Sequence, residues 1–147
     1  MIYWFTGQPG AGKTTVASAL KSALESRGLK VIHLDADDWR KTCGNQDYTE
    51  LGRRRNIITA QHAAELHSKS GKVVLCSFVS PYKDLRESLK QRADVIEVYM
   101  HTSQKRGREH FHVKDYQAPT EYFVEINTDS VSVRDAVNWL IEMAYEK

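Results

Sequence analysis

Disulfides and zinc clusters have little to build on in this sequence. Its 147 residues include two cysteines, Cys43 and Cys76, far apart and without a CxxC pair. Their neighbours place Cys43 in a loop and Cys76 in a strand, so both are expected as free thiols in a reducing compartment. A long hydrophobic run is missing too. Met1–Phe5 is too short for a signal-peptide core or a membrane span and leads straight into a motif, so a cytoplasmic protein is expected. Nor is there an excess of one charge: 21 basic and 19 acidic residues give a formal net charge of +2, too small to argue for nucleic acid or an acidic membrane as partner. Without repeats, low-complexity segments or linkers, this length leaves one compact domain, 1–147. A domain of that size buries about two-thirds of its unfolded surface.

What is present is a regular alternation of strand-like and helix-like segments. Ile2–Thr6 is β-branched and aromatic, and Thr14–Ser26 follows with Val16, Leu20, Ala23 and Leu24 on one helical face, closed by Arg27–Gly28. Lys30–Leu34 reads as a second strand, Leu51–Lys69 as a long helix, and Lys72–Ser77 as a strand apolar on both faces. Ser80–Pro81 has the form of an N-cap with proline at the first helical position, opening a helix over Tyr82–Lys90. Val95–Met100 and Phe123–Ile126 are further strands, and Val133–Tyr145 a last helix with Val133, Ala136, Val137, Leu140, Ile141 and Ala144 on one stripe. The polar stretch His101–Pro119 has no period and is expected as a mobile loop. Five strands with intervening helices predict an α/β fold: a parallel five-stranded sheet covered by helices on both faces.

Between the first strand and first helix stands Gly7-Gln8-Pro9-Gly10-Ala11-Gly12-Lys13-Thr14, a full match to G-x-x-x-x-G-K-[ST] in the strand–helix context the motif requires, so the parallel five-stranded α/β sheet is expected to be of the P-loop NTPase type. Its glycines let the backbone curl so that successive N–H groups face a phosphate, and the helix N-terminus adds partial positive charge. Lys13 suits the β- and γ-phosphates, and the Thr14 hydroxyl suits Mg²⁺. The ATP-binding set is therefore Gly7, Gln8, Pro9, Gly10, Ala11, Gly12, Lys13, Thr14 and Thr15, with ATP and Mg²⁺ as cofactors. A glycine-rich turn matching by chance is the bland alternative, and the flanking strand and helix weigh against it.

The second strand ends in Leu34-Asp35-Ala36-Asp37-Asp38-Trp39-Arg40. In an open α/β sheet ligands lie beyond the carboxyl ends of the strands, here beside the phosphate loop. A carboxylate at that place can take the proton of an acceptor hydroxyl, and an arginine can clamp an anionic acceptor. Asp37 is the candidate base, Arg40 the candidate clamp and Asp38 a helix cap. Three other signals are read as structural. His110 and His112 lack a third ligand at metal-site spacing. Of Arg53, Arg54 and Arg55 on one helix, at most two can face one anion. Trp4, Trp39 and Trp139 are taken as packing residues, with Trp39 left open because it adjoins Arg40.

These motifs together resemble the adenylyl-sulfate kinase family. Its strand-end L-D-G-D-x-x-R is matched by Leu34–Arg40 except at Ala36. Its F-S-x-x-D-R-x-x-N-I is partly kept by Tyr48, Arg53, Asn56 and Ile57, and its S-F-[IV]-S-P is met in full by Ser77-Phe78-Val79-Ser80-Pro81. Phe111, Tyr116-Gln117-Ala118-Pro119 and Asn127-Thr128 match late motifs in the same order. The resemblance implies ATP-dependent phosphorylation of the 3′-hydroxyl of adenylyl sulfate, a step of sulfate activation. It makes Asp37 the base beside Lys13. Arg40, Arg53 and Asn56 are implied to hold the sulfate–phosphate part of the acceptor. Tyr48 and Phe111 are implied to sandwich its adenine, with Asp35 and Phe78 in the same acceptor-binding set. Ser80 matches a serine described as a phosphoserine intermediate, although hydrogen bonding or helix capping explains it equally well. The small-molecule acceptor is the expected partner, with no membrane or nucleic acid, and a homodimer is the candidate assembly.

The sequence departs from that pattern at Ala36 for glycine, Gly52 for aspartate, and Ile58-Thr59 for two arginines. After the fourth strand the family's lid run is missing, leaving Lys105, Arg106 and Arg108 as the basic residues there. Two other readings stay open: a small kinase acting on a nucleoside or a nucleic-acid end, and a nucleotide-binding module without turnover.

Overall fold

The computed structural model describes residues 1–104, 106–107 and 109–146. In chain order the elements are β1 (Ile2–Thr6), α1 (Lys13–Glu25), β2 (Val31–Asp35), α2 (Ala36–Cys43), α3 (Glu50–Lys69), β3 (Val73–Ser77), α4 (Lys83–Arg92), β4 (Val95–His101), a single 3-10 turn (Glu109–Phe111), β5 (Phe123–Asn127) and α5 (Val133–Glu146). The five strands form one parallel sheet in the order β2-β3-β1-β4-β5. The expected P-loop NTPase-type α/β fold is thus the observed one.

Strand period explains the two cores. Tyr3 and Phe5 of β1 point to one face with Leu75, Ile96, Val98 and Met100, where Val16, Leu20 and Leu24 of α1 and Val137, Leu140 and Ile141 of α5 cover them. Ile2 and Trp4 point to the other face with Val74, Cys76 and Val95, under Ile57, Ala60 and Ala64 of α3 and Leu89 of α4. β1 is buried along its whole length, as a central parallel strand is. The stripe on α5 is also observed: Ala136, Val137, Leu140 and Ile141 are buried, while Val133 at its start is exposed. The Tyr3 hydroxyl donates to the Leu140 carbonyl at 2.8 Å, tying α5 to the central strand.

Three local expectations are corrected. Cys43 ends α2 as an exposed thiol rather than sitting in a loop. Asp35, not Asp38, caps α2, accepting from the Asp37 N–H at 3.2 Å. The motif Ser80–Pro81 does not cap α4, which starts two residues later with Tyr82 at the cap position. There the Gln117 side chain supplies the missing acceptor, its Oε1 taking the Lys83 N–H at 2.8 Å. A cap donated from 34 residues away leaves no local signature.

Candidate active site

β1 has β3 on one side and β4 on the other, so strand order reverses there, and the residues after β1 lie at the switch point where α/β proteins bind ligands. The Gly7–Thr14 loop fills that place. Glycine is required twice in it. A Cβ on Gly7 would lie 2.2 Å from the Met100 carbonyl oxygen, and Gly12, the residue before α1, has φ 94°. The backbone alone begins the helix, since no side chain caps α1. The N-terminal N–H groups of this buried-faced helix thus point into the loop.

Lys13 reaches back across the loop, its Nζ donating to the carbonyls of Gly7 at 2.8 Å and Gln8 at 2.9 Å. It is 9% exposed. The Thr14 hydroxyl donates to Asp35 Oδ1 at 3.2 Å, and the other oxygen of Asp35 caps α2. Asp35 therefore ties the phosphate loop to the strand-end carboxylates. Asp37 stands exposed in the first turn of α2, and Arg40, three residues on, shares its helix face. Arg40 lies over the Tyr48 ring, 4.1 Å from its centroid, and its Nη1 donates to the Asn45 and Asp47 carbonyls. Arg53 donates to the Tyr48 carbonyl at 2.8 Å. Arg40, Tyr48 and Arg53 are so brought into one cluster, with Asp37 one turn before Arg40 on α2.

Asn56, one turn further along α3, is 4% exposed, and its Oδ1 has no hydrogen-bond partner among the described residues. Phe78 lies in the core, stacked on Trp4 with centroids 5.2 Å apart, so it stands beneath the site rather than on its surface. Phe111 is 56% exposed, on the 3-10 turn between β4 and β5. Ser80 has φ 40°, a strained value for a non-glycine residue. It is 2% exposed; its Oγ accepts from Trp4 Nε1 at 2.9 Å and donates to the Phe78 carbonyl at 3.2 Å. Trp39 donates to Thr59 Oγ1 at 3.0 Å, joining α2 to α3.

Sequence reasoning missed several residues here. Gly52 stays glycine because the Asp47 turn packs against it: a Cβ would lie 2.3 Å from the Asp47 carbonyl oxygen. His33 and Ser77 Oγ are 2.7 Å apart beneath Asp35. Burial lowers the His33 pKa, Lys21 adding to the effect and Asp35 and Asp38 opposing it, which keeps the ring neutral at pH 7. Arg86 and Glu97, each 1% exposed, form a buried ion pair at 2.7 Å, with Lys90 on the second carboxylate oxygen, also at 2.7 Å. Arg86 also donates to the Ser80 carbonyl at 2.5 Å and to the Gln117 carbonyl. It thereby holds the strained turn after β3 against the segment before β5. Read singly, an arginine in a charged helix and a glutamate in an apolar strand gave no sign of each other.

The segment after β4 packs on the phosphate loop. Gln8, His112, Val113 and Tyr116 make its contacts, and Arg106 donates to the Gly10 carbonyl at 3.3 Å. Lys105 and Arg108 lie outside the described residues. Burial pushes the Tyr116 phenol up to about 12, so it keeps the proton it shares with Thr6 Oγ1 at 2.7 Å. A cavity of about 210 Å³ lies between loop and segment, bordered by Gln8, Gly10, His101, Arg106 and His112. No group of three or more His, Cys, Asp or Glu side chains is placed to hold a metal among the described residues.

A glycine cradle at the switch point of a parallel sheet, with lysine inside and threonine on a carboxylate, defines a P-loop kinase fold. The family model described as adenylylsulphate kinase matches residues 1–127, and the chain belongs to that family. Among solved structures, the crystal structure of APE1195 is similar at TM-score 0.86 and 27% identity, over 99% of this chain and 95% of that one. The Mycobacterium tuberculosis APS kinase CysC in complex with AMPPNP and APS is similar at TM-score 0.85 and 23% identity, over 98% of this chain and 96% of that one. The hexameric APS kinase from Thiobacillus denitrificans shares the fold at TM-score 0.80 and 23% identity, over 99% of this chain and 29% of that one. Family membership makes this protein a phosphotransferase with a nucleotide-binding phosphate loop. No helix among the described residues is long and apolar enough to cross a membrane.

Proposed function

We propose that this chain, acting as one domain over 1–147, transfers the γ-phosphoryl group of ATP to the 3′-hydroxyl of adenylyl sulfate. The observation that carries the reading is the unbroken chain of contacts from donor side to acceptor side: Thr14 on Asp35, Asp35 on the first turn of α2, and Arg40 of α2 on Tyr48. The family relationship and the complex of a similar structure with AMPPNP and APS support the choice of substrates.

In this reading the loop N–H groups and Lys13 hold the β- and γ-phosphates. The acceptor oxygen forms the new bond to phosphorus as the bond to the β–γ bridging oxygen breaks, ADP leaves, and Asp37 takes the hydroxyl proton. The oxygen donors of Thr14 and Asp35 fit Mg²⁺, Thr14 as ligand and Asp35 as its hydrogen-bond partner, and the ion would neutralise charge on the phosphates. Asp35 so moves from the acceptor side to the donor side. Arg40 and Arg53 face the anionic part of the acceptor, with the Asn56 amide oxygen, which has no hydrogen-bond partner among the described residues, behind them. Ser80 acts as a hydrogen-bonded turn residue, because its one proton is committed to the Phe78 carbonyl. The direct test is incubation with ATP–Mg²⁺ and adenylyl sulfate, with a nucleoside and an oligonucleotide end as competing acceptors. The expected product is 3′-phosphoadenylyl sulfate; transfer to another acceptor alone would overturn the reading.

Asp37→Asn is expected to keep ATP affinity and lower turnover by about 10²–10⁴, the usual weight of a positioned base. Loss of ATP affinity with unchanged turnover would make Asp37 a donor-side residue instead. Arg40→Ala and Phe111→Ala are expected to raise the acceptor's KM more than that of ATP. The stacking part is worth about 1–3 kcal/mol by analogy with base–aromatic contacts. Since Arg40 also holds the 45–48 turn, Arg40→Lys is the sharper variant: it keeps charge and loses the fork. Equal changes in both KM values, with a lowered melting temperature, would show general loosening.

A further inference from the structure

Gln8 is the second residue of the phosphate loop, yet its side chain serves another part of the chain. Its Nε2 donates to the Val113 carbonyl and its Oε1 accepts from the Val113 N–H, both at 2.8 Å. A carboxamide paired in this way with the N–H and the C=O of one residue imitates a rung of a β-ladder. It fixes both the distance and the rotation of residue 113 relative to the loop. Two further bonds run beside it: the His112 Nε2 lies 3.2 Å from the Pro9 carbonyl oxygen, and Tyr116 meets Thr6 at 2.7 Å. Val113 follows Phe111 by two residues. Gln8 is half-buried, so both bonds are partly shielded from water.

We infer that Gln8 is a positioning residue that couples the two substrates: through Val113 it makes the placement of segment 109–116, and of Phe111 on it, follow the conformation of the phosphate loop. Donor binding fixes the loop backbone, the loop fixes Gln8, and Gln8 orders the segment carrying the aromatic that meets the acceptor. The last link rests on the assignment of Phe111 proposed above; the earlier links rest on the loop alone.

The first experiment is amide hydrogen exchange on the full chain, with and without AMPPNP–Mg²⁺. In the wild type, protection over 109–116 is expected to rise on binding. In Gln8→Ala, compared at AMPPNP concentrations that saturate the variant, the rise is expected to disappear. Gln8→Glu, which keeps an acceptor for the Val113 N–H but not the donor, is expected to fall between. Failure of AMPPNP to change this segment in the wild type, or an equal rise in Gln8→Ala, overturns the inference. Failure of AMPPNP to bind at all overturns the nucleotide reading with it.

The second experiment is kinetic. Gln8→Ala is expected to raise the adenylyl sulfate KM about tenfold, the order that two partly shielded neutral hydrogen bonds supply. It should add nothing in a Phe111→Ala background. An effect that persists there contradicts transmission through Phe111. If adenylyl sulfate is not an acceptor, that substrate assignment fails, and the exchange result decides the coupling.

Discussion

Lys13→Ala is expected to reduce phosphoryl transfer by at least about 10²–10³-fold, the scale seen when one preorganised charge-stabilising group is removed from a site. The reason lies in where the ammonium is held. It sits almost buried inside the loop, on the carbonyls of Gly7 and Gln8, at the centre of the curl that the glycines impose. A charge fixed there interacts with phosphate oxygens across short, weakly screened distances, and it needs no reorganisation when charge develops on them. Because the interaction grows towards the transition state, the loss should fall on turnover more than on ATP affinity. Single-turnover assays of wild type and variant would measure it. Turnover within about threefold of wild type, roughly 0.7 kcal/mol of barrier, would remove Lys13 from the chemistry.

The largest effect on stability is expected from Arg86→Ala. Arg86 and Glu97 are both 1% exposed, and their pairing across α4 and β4 is joined by Lys90. Burial alone would lower the Lys90 pKa, but its bonds to Glu97 and Glu87 raise it on balance. Removing Arg86 leaves the buried Glu97 with Lys90 on one oxygen and no partner on the other, and breaking a buried pair in this way costs about 3–5 kcal/mol. It also frees the carbonyls of Ser80 and Gln117, which the guanidinium now satisfies. For a chain of this length the melting temperature should fall by roughly 10 °C. Arg86→Met combined with Glu97→Leu should lose less than the single variant, since no half-paired buried carboxylate remains and Lys90 keeps Glu87. A single variant melting within about 2 °C of wild type would show that water reaches Glu97.

Much of the site was legible in the residues, and for a definite reason. The phosphate loop is a local structure: its donors are backbone N–H groups, and its bends need glycine at Gly7 and Gly12, so contiguous sequence carries nearly all of it. The strand-end carboxylates were legible because a parallel sheet places strand ends beside that loop. The apolar stripe of α5 and the doubly buried β1 follow from period alone. Where local signals misled, a distant group had taken the local role. Ser80–Pro81 has the form of a cap, but Gln117 serves α4, and the Ser80 hydroxyl is spent on Trp4 and Phe78.

The sequence by itself determined the fold class, the phosphate cradle and the carboxylate–arginine end of β2, because each is set by neighbours within a few residues. Only the tertiary structure decided that Thr14 bonds Asp35, that Arg86 finds Glu97, and that Gln8 grips Val113. Such pairings join polar side chains to partners 11 to 105 residues away. Their energy comes from burial and geometry that exist only once the sheet has assembled, and a single polar side chain in a sequence does not announce its partner.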